Sequence, residues 1–190
     1  MLHSAAELLR EHGAAGVTID AVLARSGSPR GSVYHHFPEG RSQLLREALE
    51  FAGHQITEAI HQAAGGDGTA LLRRFAELWR DALVCSDYAA ISPVLAAAVG
   101  SGQDEQQLSA VAGDIFRSWR DASIEAFVRE GFDRAEATAL AHTTISALEG
   151  AVVLCRSTRT LEPLDDVTRE MEFLVKAREF VGRSRVSDLR

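Results

Sequence analysis

The chain has 190 residues, of which 46% are hydrophobic and 25% are charged, and its formal net charge is −7. This composition is that of an ordinary soluble globular protein. The length allows one large domain or two small ones. The negative charge argues against a protein that coats nucleic acid without selectivity. Only four prolines and alanine-rich runs favour an all-helical fold.

Cysteine usage gives no sign of metal binding. Cys85 and Cys155 are far apart and belong to no Cys-x-x-C or metal-ligand spacing. We expect buried free thiols in a reducing cytoplasm, with a disulfide or redox switch as the alternative, and we predict no metal and no cofactor. No signal peptide or lipidation motif is found, which favours a cytoplasmic location. The sequence also lacks a nucleophile–base pair at useful spacing, so an enzyme is not predicted.

A first helix is predicted over about residues 2–12, and residues 18–37 then indicate a helix, a glycine turn and a second short helix. The Thr18 hydroxyl can cap the first of these two helices, and Gly27 stands where a left-handed C-cap residue is usual. Ser28 and Pro29 restart the chain, because serine favours the N-cap and proline the first helical position. The second helix is therefore predicted over 29–36. A helix pair of this size fits the major groove of DNA.

The outer face of that second helix carries chemistry suited to DNA. Arg30 can bond a guanine edge or a phosphate, and Ser32 can reach several base edges. Gly31 lowers helix stability by about 1 kcal/mol relative to alanine, which a close approach to another surface would explain. Tyr34 and His35 are suited to phosphate oxygens. The alternative is a helical hairpin that only packs within the protein.

The remaining sequence predicts further helices over about 42–63, 69–84, 108–130, 134–157 and 164–181, with a more broken segment at 85–99 that contains Pro93. The segment 137–155 is almost entirely apolar, and its length would allow a membrane span. His142 and Glu149 near its middle, together with its alanine-rich character, favour a helix buried on both sides instead. One side would then face its own domain and the other a second subunit.

The order of these elements carries a resemblance to a known family. ELLREHG followed by VTIDAVLARSGSPRGSVYHHFPEGRSQLLREAL resembles the DNA-binding domain of TetR-family transcriptional regulators. FRSWR at 116–120, ALEGA at 147–151 and EPL at 162–164 resemble the LmrA/YxaF-like branch. The resemblance implies an all-α fold with a three-helix helix-turn-helix domain at 1–45. It also implies a helical domain for ligand binding and dimerisation at 46–190.

Carried over by position, the resemblance implies roles for particular residues. Thr18 would bind a phosphate, and Arg41, where the family usually has lysine, would do the same with a bidentate fork. Pro29 stands where many members have the capping serine, a role that Ser28 could take one residue earlier. The predicted DNA contacts are Thr18, Ser28, Arg30, Gly31, Ser32, Tyr34, His35 and Arg41. The expected partners are a double-stranded DNA operator, a small-molecule effector and a second copy of the chain, with no membrane.

Two further sets of residues are predicted in the second domain. Aromatic and apolar side chains at helical spacing are either plain core or the wall of an effector pocket, and His142 and Glu149 on an apolar helix need polar partners. The candidate pocket residues are Phe75, Trp79, Leu83, Phe116, Trp119, Phe127, His142 and Glu149. Two helices from each subunit would form a four-helix interface. Its candidate residues are Leu148, Ala151, Val152, Met171, Leu174 and Val175.

The sequence thus favours a homodimeric repressor that a small apolar or amphipathic effector releases from DNA. The family usually has several more residues, often basic, before the position of Met1. The short first helix and the net negative charge therefore motivate an alternative. In that alternative, the chain senses a small molecule and has lost or impaired DNA binding.

Overall fold

The computed structural model describes the backbone of residues 1–63, 68–100 and 103–187 and the side chains of 1–63, 68–100 and 106–181. Every regular element in these ranges is an α-helix, which confirms the predicted all-α fold. In chain order the helices are α1 (Leu2–Gly16), α2 (Ile19–Ser26), α3 (Arg30–His36), α4 (Arg41–Ala63), α5 (Gly68–Cys85), α6 (Pro93–Val99), α7 (Gln103–Arg129), α8 (Arg134–Thr158) and α9 (Glu162–Ser187).

Helices α4, α5 and α8 begin and end within one residue of their predicted bounds, and two other elements differ in an instructive way. Helix α1 continues to Gly16 through a kink at Gly13, whose φ of 67° and ψ of −173° are not helical. In the segment predicted to be broken, Pro93 begins α6, and the Ser92 hydroxyl accepts a hydrogen bond from the Leu95 N–H at 3.2 Å. Proline is tolerated at the first helical position, because the backbone N–H that it lacks would have no partner within the helix there.

The contacts of the chain divide it into two compact units. The first unit comprises 1–55 and 89–117, and the second comprises 56–88 and 118–190. In the first unit α1 contacts α2 and α6, and the Ile91 N–H donates to the Arg10 carbonyl at 3.2 Å. Val22, Val33 and Leu44 have no exposed surface and form part of its core. The functional boundary predicted after residue 45 concerns what each part binds, and it stays a prediction.

The second unit is built around α5, α8 and α9, which contact one another. Its core includes the edge-to-face rings of Phe75 and Trp119, whose centroids are 5.7 Å apart, and the buried ring of Phe127. At its surface Arg73 donates from Nε and Nη2 to the two carboxylate oxygens of Glu172, at 2.8 and 3.0 Å. This fork joins α5 to α9.

Helix α8 has the length and apolar composition of a membrane span, but many of its apolar residues are buried inside the second unit. Leu140, Leu148 and Val152 are at most 1% exposed, and α8 contacts both α5 and α9. Asp133 caps its start by accepting from the Ala135 and Glu136 N–H groups, each at 2.9 Å. Helix α8 is therefore a core helix of a globular unit, and not a membrane span.

Both cysteines are free thiols, as predicted, but the expectation that both are buried is wrong for Cys85. Cys85 is exposed at the end of α5, whereas Cys155 on α8 is fully buried. Burial raises the pKa of the Cys155 thiol. The thiolate is the reactive form, so Cys155 is protonated and inert at neutral pH.

Candidate nucleic-acid interface and effector region

Helix α3 is fixed in place by its inner face. Val33 is fully buried and Phe37 is 4% exposed, so this edge of the short helix packs into the first unit. The preceding turn matches the sequence prediction, because Gly27 adopts the left-handed conformation with φ 64° and its N–H donates to the Leu23 carbonyl. The Thr18 hydroxyl accepts from the Ala21 N–H at 3.1 Å, which confirms the predicted cap of α2.

The cap predicted for α3 is wrong. Helix α3 has Pro29 at its N-cap position and no side-chain cap, and the Ser28 N–H instead donates to the Ser26 hydroxyl at 3.3 Å. Proline at this position has the extended backbone that an N-cap requires, with φ −64° and ψ 143°. The first N–H groups of α3 are therefore left for partners outside the helix.

The outer edge of α3 faces solvent. Arg30, Gly31 and His35 are exposed, and Tyr34 is 56% exposed. Ser28 and Ser32 are half-buried beside them, and Thr18 is exposed at the start of α2. Seven of the eight predicted DNA contacts therefore lie at least partly on the surface of α2 and α3 or in the turn between them.

Gly31 has no structural reason within the first unit to be glycine. A Cβ built at Gly31 meets no atom within 4 Å, and its backbone is helical. The helix could therefore take alanine without a clash and with a gain in intrinsic helix stability. The missing side chain leaves the α3 backbone open to close approach by another molecule.

Arg41 is the eighth predicted DNA contact, and its environment differs from that of the other seven. Its Nε donates to the Val17 carbonyl at 2.7 Å and its Nη2 donates to the Ala14 carbonyl at 2.6 Å, and the side chain is half-buried. The guanidinium at the start of α4 thus donates to one carbonyl in the last turn of α1 and to one in the turn between α1 and α2. A phosphate role for Arg41 stays a prediction.

Two ion pairs organise the surface around α2. Arg25 donates to the Glu11 carboxylate at 2.7 Å, joining α2 to α1. This hydrogen bond lowers the pKa of Glu11 and raises the pKa of Arg25. In the second pair, Arg30 Nη1 lies 2.9 Å from Asp20 Oδ1. Asp20 lies in the first turn of α2, and no local sequence pattern marks its contact with a residue ten positions away.

The residues predicted to line an effector pocket do not share one environment. Phe75, Trp79, Leu83, Trp119 and Phe127 are buried in the second unit. Phe116 is half-buried and belongs to the first unit. His142 is exposed on α8, so the premise that it is a buried polar group in need of a partner is wrong. Glu149 is 4% exposed and its side chain lies in the core.

Some buried polar atoms of the second unit make no hydrogen bond within the part of the chain that the structure describes. They include the indole Nε1 of Trp79 on α5 and the hydroxyl Oγ1 of Thr144 on α8. Both residues are 3% exposed. Buried polar groups are nearly always hydrogen-bonded, so each of these atoms calls for an explanation, such as a partner from outside the chain. No sequence pattern marks Thr144 as a candidate pocket residue.

The predicted dimer residues mostly pack within the protomer. Leu148, Ala151, Val152, Met171 and Val175 are at most 5% exposed, and Leu174 is half-buried. A different set of apolar side chains on the same two helices faces solvent, and we refer to it as the α8–α9 outer face. It consists of Val153, Leu154, Phe173, Phe180 and Val181, which are 38–74% exposed.

Comparison with known proteins links the chain to a family over both halves. A family model described as bacterial regulatory proteins of the tetR family matches residues 1–48. A second model, described as the C-terminal domain of LmrA/YxaF-like transcriptional regulators, matches residues 69–170. These matches confirm the resemblance found in the sequence, including its branch.

Individual proteins agree with the family models. An HTH-type transcriptional regulator of Mycobacterium tuberculosis is 40% identical over 97% of this chain and 96% of its own length. The regulator YxaF of Bacillus subtilis is 25% identical over 93% of each chain. A solved TetR regulator from Legionella pneumophila superposes with a TM-score of 0.76 at 16% identity, over 91% of this chain and 94% of its own. That structure supports the fold alone.

Proposed function

Because the chain belongs to the TetR family of bacterial transcriptional regulators, we propose that it is a cytoplasmic, homodimeric repressor whose operator is read by α3. Membership of this family makes it a transcriptional regulator and not an enzyme. The observation that carries the proposal is the solvent-facing edge of α3, where Gly31 leaves open space beside Arg30 and Tyr34. Two copies of α3 would enter successive major grooves about 34 Å apart.

The DNA part of the proposal is tested by selecting duplexes from a random pool and then measuring affinity for the selected sequence at fixed salt. Tyr34→Phe removes one exposed hydroxyl that we assign to a phosphate. We expect it to weaken binding by about 1 kcal/mol, or roughly fivefold. Tyr88→Phe removes the other tyrosine hydroxyl of the chain and is expected to leave affinity unchanged. Equal affinities for the two variants would remove Tyr34 from the DNA surface.

The dimer part of the proposal rests on the α8–α9 outer face. Phe173 and Phe180 are seven residues apart, so they lie on one side of α9, and they are 70% and 74% exposed. Gly150 is exposed on α8 and a Cβ there meets nothing within 4 Å. An apolar face beside a small residue permits close helix approach, and we assign it to a second copy of the chain. The α8–α9 outer face replaces the buried residues predicted from the sequence.

Sedimentation equilibrium tests this assignment. The double variant Phe173→Glu with Phe180→Glu places two charges on the α8–α9 outer face and is expected to be monomeric at concentrations where the wild type is dimeric. Val84→Glu is the control, because Val84 is also exposed, at 56%, but lies on α5. A double variant that stays dimeric would place the interface elsewhere.

For the effector we infer an apolar or amphipathic molecule that carries a hydrogen-bond acceptor. The indole N–H of Trp79 is a donor only, and it is buried with no partner among the described residues. A bound carbonyl or hydroxyl oxygen would satisfy it. Effector binding would lower operator affinity if it favours a spacing of the two α3 helices that does not match the DNA grooves.

Tryptophan fluorescence gives the assay, because the chain contains only Trp79 and Trp119. The probes are apolar small molecules in matched pairs, with and without a carbonyl group. Trp79→Phe keeps an aromatic ring but removes the N–H, so it is expected to reduce the preference for the carbonyl-bearing member of a pair. An unchanged preference would exclude Trp79 as the donor. Binding of a probe by a chain that selects no DNA sequence would favour the sensing alternative.

A further inference from the structure

We propose that Asp20 sets the base preference of this chain by holding the guanidinium of Arg30. The inference rests on the proposed function, because it concerns how α3 reads DNA. Asp20 lies in the first turn of α2, and Arg30 is the first residue of α3. Their side chains meet across the turn, with Arg30 Nη1 2.9 Å from Asp20 Oδ1. The pair therefore lies at the end of the recognition helix.

The ion pair has little to do with holding the fold together. The side chains of Arg30 and Asp20 are 70% and 73% exposed, and exposed pairs of this kind contribute little to stability. A carboxylate at this position also opposes DNA binding, because it faces the negative phosphates. The Arg30–Asp20 pair therefore neither stabilises the fold appreciably nor strengthens DNA binding. We assign its effect to the choice of base that Arg30 contacts.

The chemistry of the pair restricts what Arg30 can do. A guanidinium has five N–H donors in a rigid fork, and one nitrogen is engaged by Asp20. The remaining donors can still bond the O6 and N7 acceptors of guanine, the pairing that distinguishes guanine in the major groove. An arginine without this tether has more rotamers and can turn to a nearby phosphate, which carries no sequence information. Asp20 is thus a positioning residue that directs Arg30 towards a base edge.

The test compares the sequences that full-length variants select from a random duplex pool. Arg30→Ala identifies the base pair that Arg30 reads, as the position where preference is lost. Asp20→Asn keeps the shape of the side chain and removes its charge. We expect it to reduce the preference at that same base pair by about fivefold or more, while general affinity for unselected DNA rises.

A charge-matched control separates positioning from simple electrostatics. Glu39→Gln makes the same change in net charge within the first unit, at an exposed acid 3.4 Å from Arg46. It is expected to raise general affinity and leave every base preference as in the wild type. In the Arg30→Ala background, Asp20→Asn is expected to have no further effect on base preference. A purely structural role for Asp20 would persist in that background.

The outcomes distinguish the inference from the function on which it rests. If the wild type selects no sequence, the proposed DNA-binding function fails and the inference fails with it. If the wild type selects a sequence and Asp20→Asn selects the same one with the same preferences, only the inference is overturned. An effect of Asp20→Asn at base pairs that Arg30→Ala leaves unchanged would also overturn it. The high exposure of both side chains means that these variants retain the fold, and thermal unfolding verifies this.

Discussion

Glycine at position 31 lowers the stability of α3, and we propose that it also lets the helix approach DNA closely. Gly31→Ala should therefore raise the stability of the protein and lower its affinity for DNA. Alanine is favoured over glycine in a helix by about 0.5–1 kcal/mol. The added Cβ meets no atom of the protein within 4 Å, so no steric term offsets this gain. For a chain of this size, 1 kcal/mol corresponds to roughly 2–4 °C in the midpoint of thermal unfolding.

The expected loss of DNA affinity comes from the same open space. If the backbone at Gly31 approaches the DNA closely, the methyl group holds α3 away from the groove and lengthens the contacts made by its neighbours. A good bidentate base contact contributes about 1–3 kcal/mol of discrimination. Weakening a single such contact would therefore lower operator affinity by roughly tenfold.

Thermal unfolding and operator titration are measured on the same preparations, with Gly113→Ala as the control. Gly113 lies within α7 in the first unit, and a Cβ there would make an ordinary contact at 3.5 Å with Arg117 Nη1. The control should gain similar stability without losing affinity. If Gly31→Ala gained stability and bound the operator as the wild type does, the glycine edge of α3 would not face DNA. If it lost stability, the open-space argument would be wrong.

Three further predictions concern stability and are measured by denaturant or thermal unfolding. Arg41→Lys replaces a two-carbonyl fork with a point donor, and we expect it to lower the free energy of unfolding by about 1–3 kcal/mol; an unchanged value would show that the fork contributes nothing. The lowered pKa of Glu11 means that its pairing with Arg25 stabilises the fold above the ordinary glutamate pKa and loses this effect as the pH falls through the folded-state value. Glu11→Gln should therefore flatten the acid side of the stability profile, and a profile parallel to that of the wild type would contradict this. Asp133→Ala removes the cap of α8 and should lower stability by about 0.5–2 kcal/mol, against no change for the exposed Asp166→Ala.

Local chemistry in the sequence was sufficient for most of the helix-turn-helix segment, although not for the cap of α3. The Thr18 cap, the left-handed Gly27 and the buried Val33 and Phe37 all follow from residues within four positions of one another. Capping, turn formation and helix periodicity are short-range effects, so they can be read without knowledge of the rest of the chain. The same reason explains why the bounds of α4, α5 and α8 were predicted to within one residue.

The contacts of Arg41 and Asp20 could not be predicted from local sequence patterns. Arg41 reaches carbonyls 24 and 27 residues earlier, and Asp20 meets a side chain ten residues later. A sequence position shows that such a side chain is charged and lies near a helix end. Which partner it meets depends on how three helices are arranged around a shared core, and no local pattern encodes that arrangement.

The amino-acid sequence by itself determined that the chain is all helical, where most of its helices lie and which edge of α3 carries the residues that we propose to contact DNA. Only the tertiary structure decided which apolar side chains of α8 and α9 are buried in the protomer and which, such as Phe173 and Phe180, remain exposed. Periodicity identifies an apolar face, but a helix with apolar residues on both sides has two faces. The packing of α8 against α5 and α9 determines which of these faces is left exposed, and this is the face that we propose for a second copy of the chain.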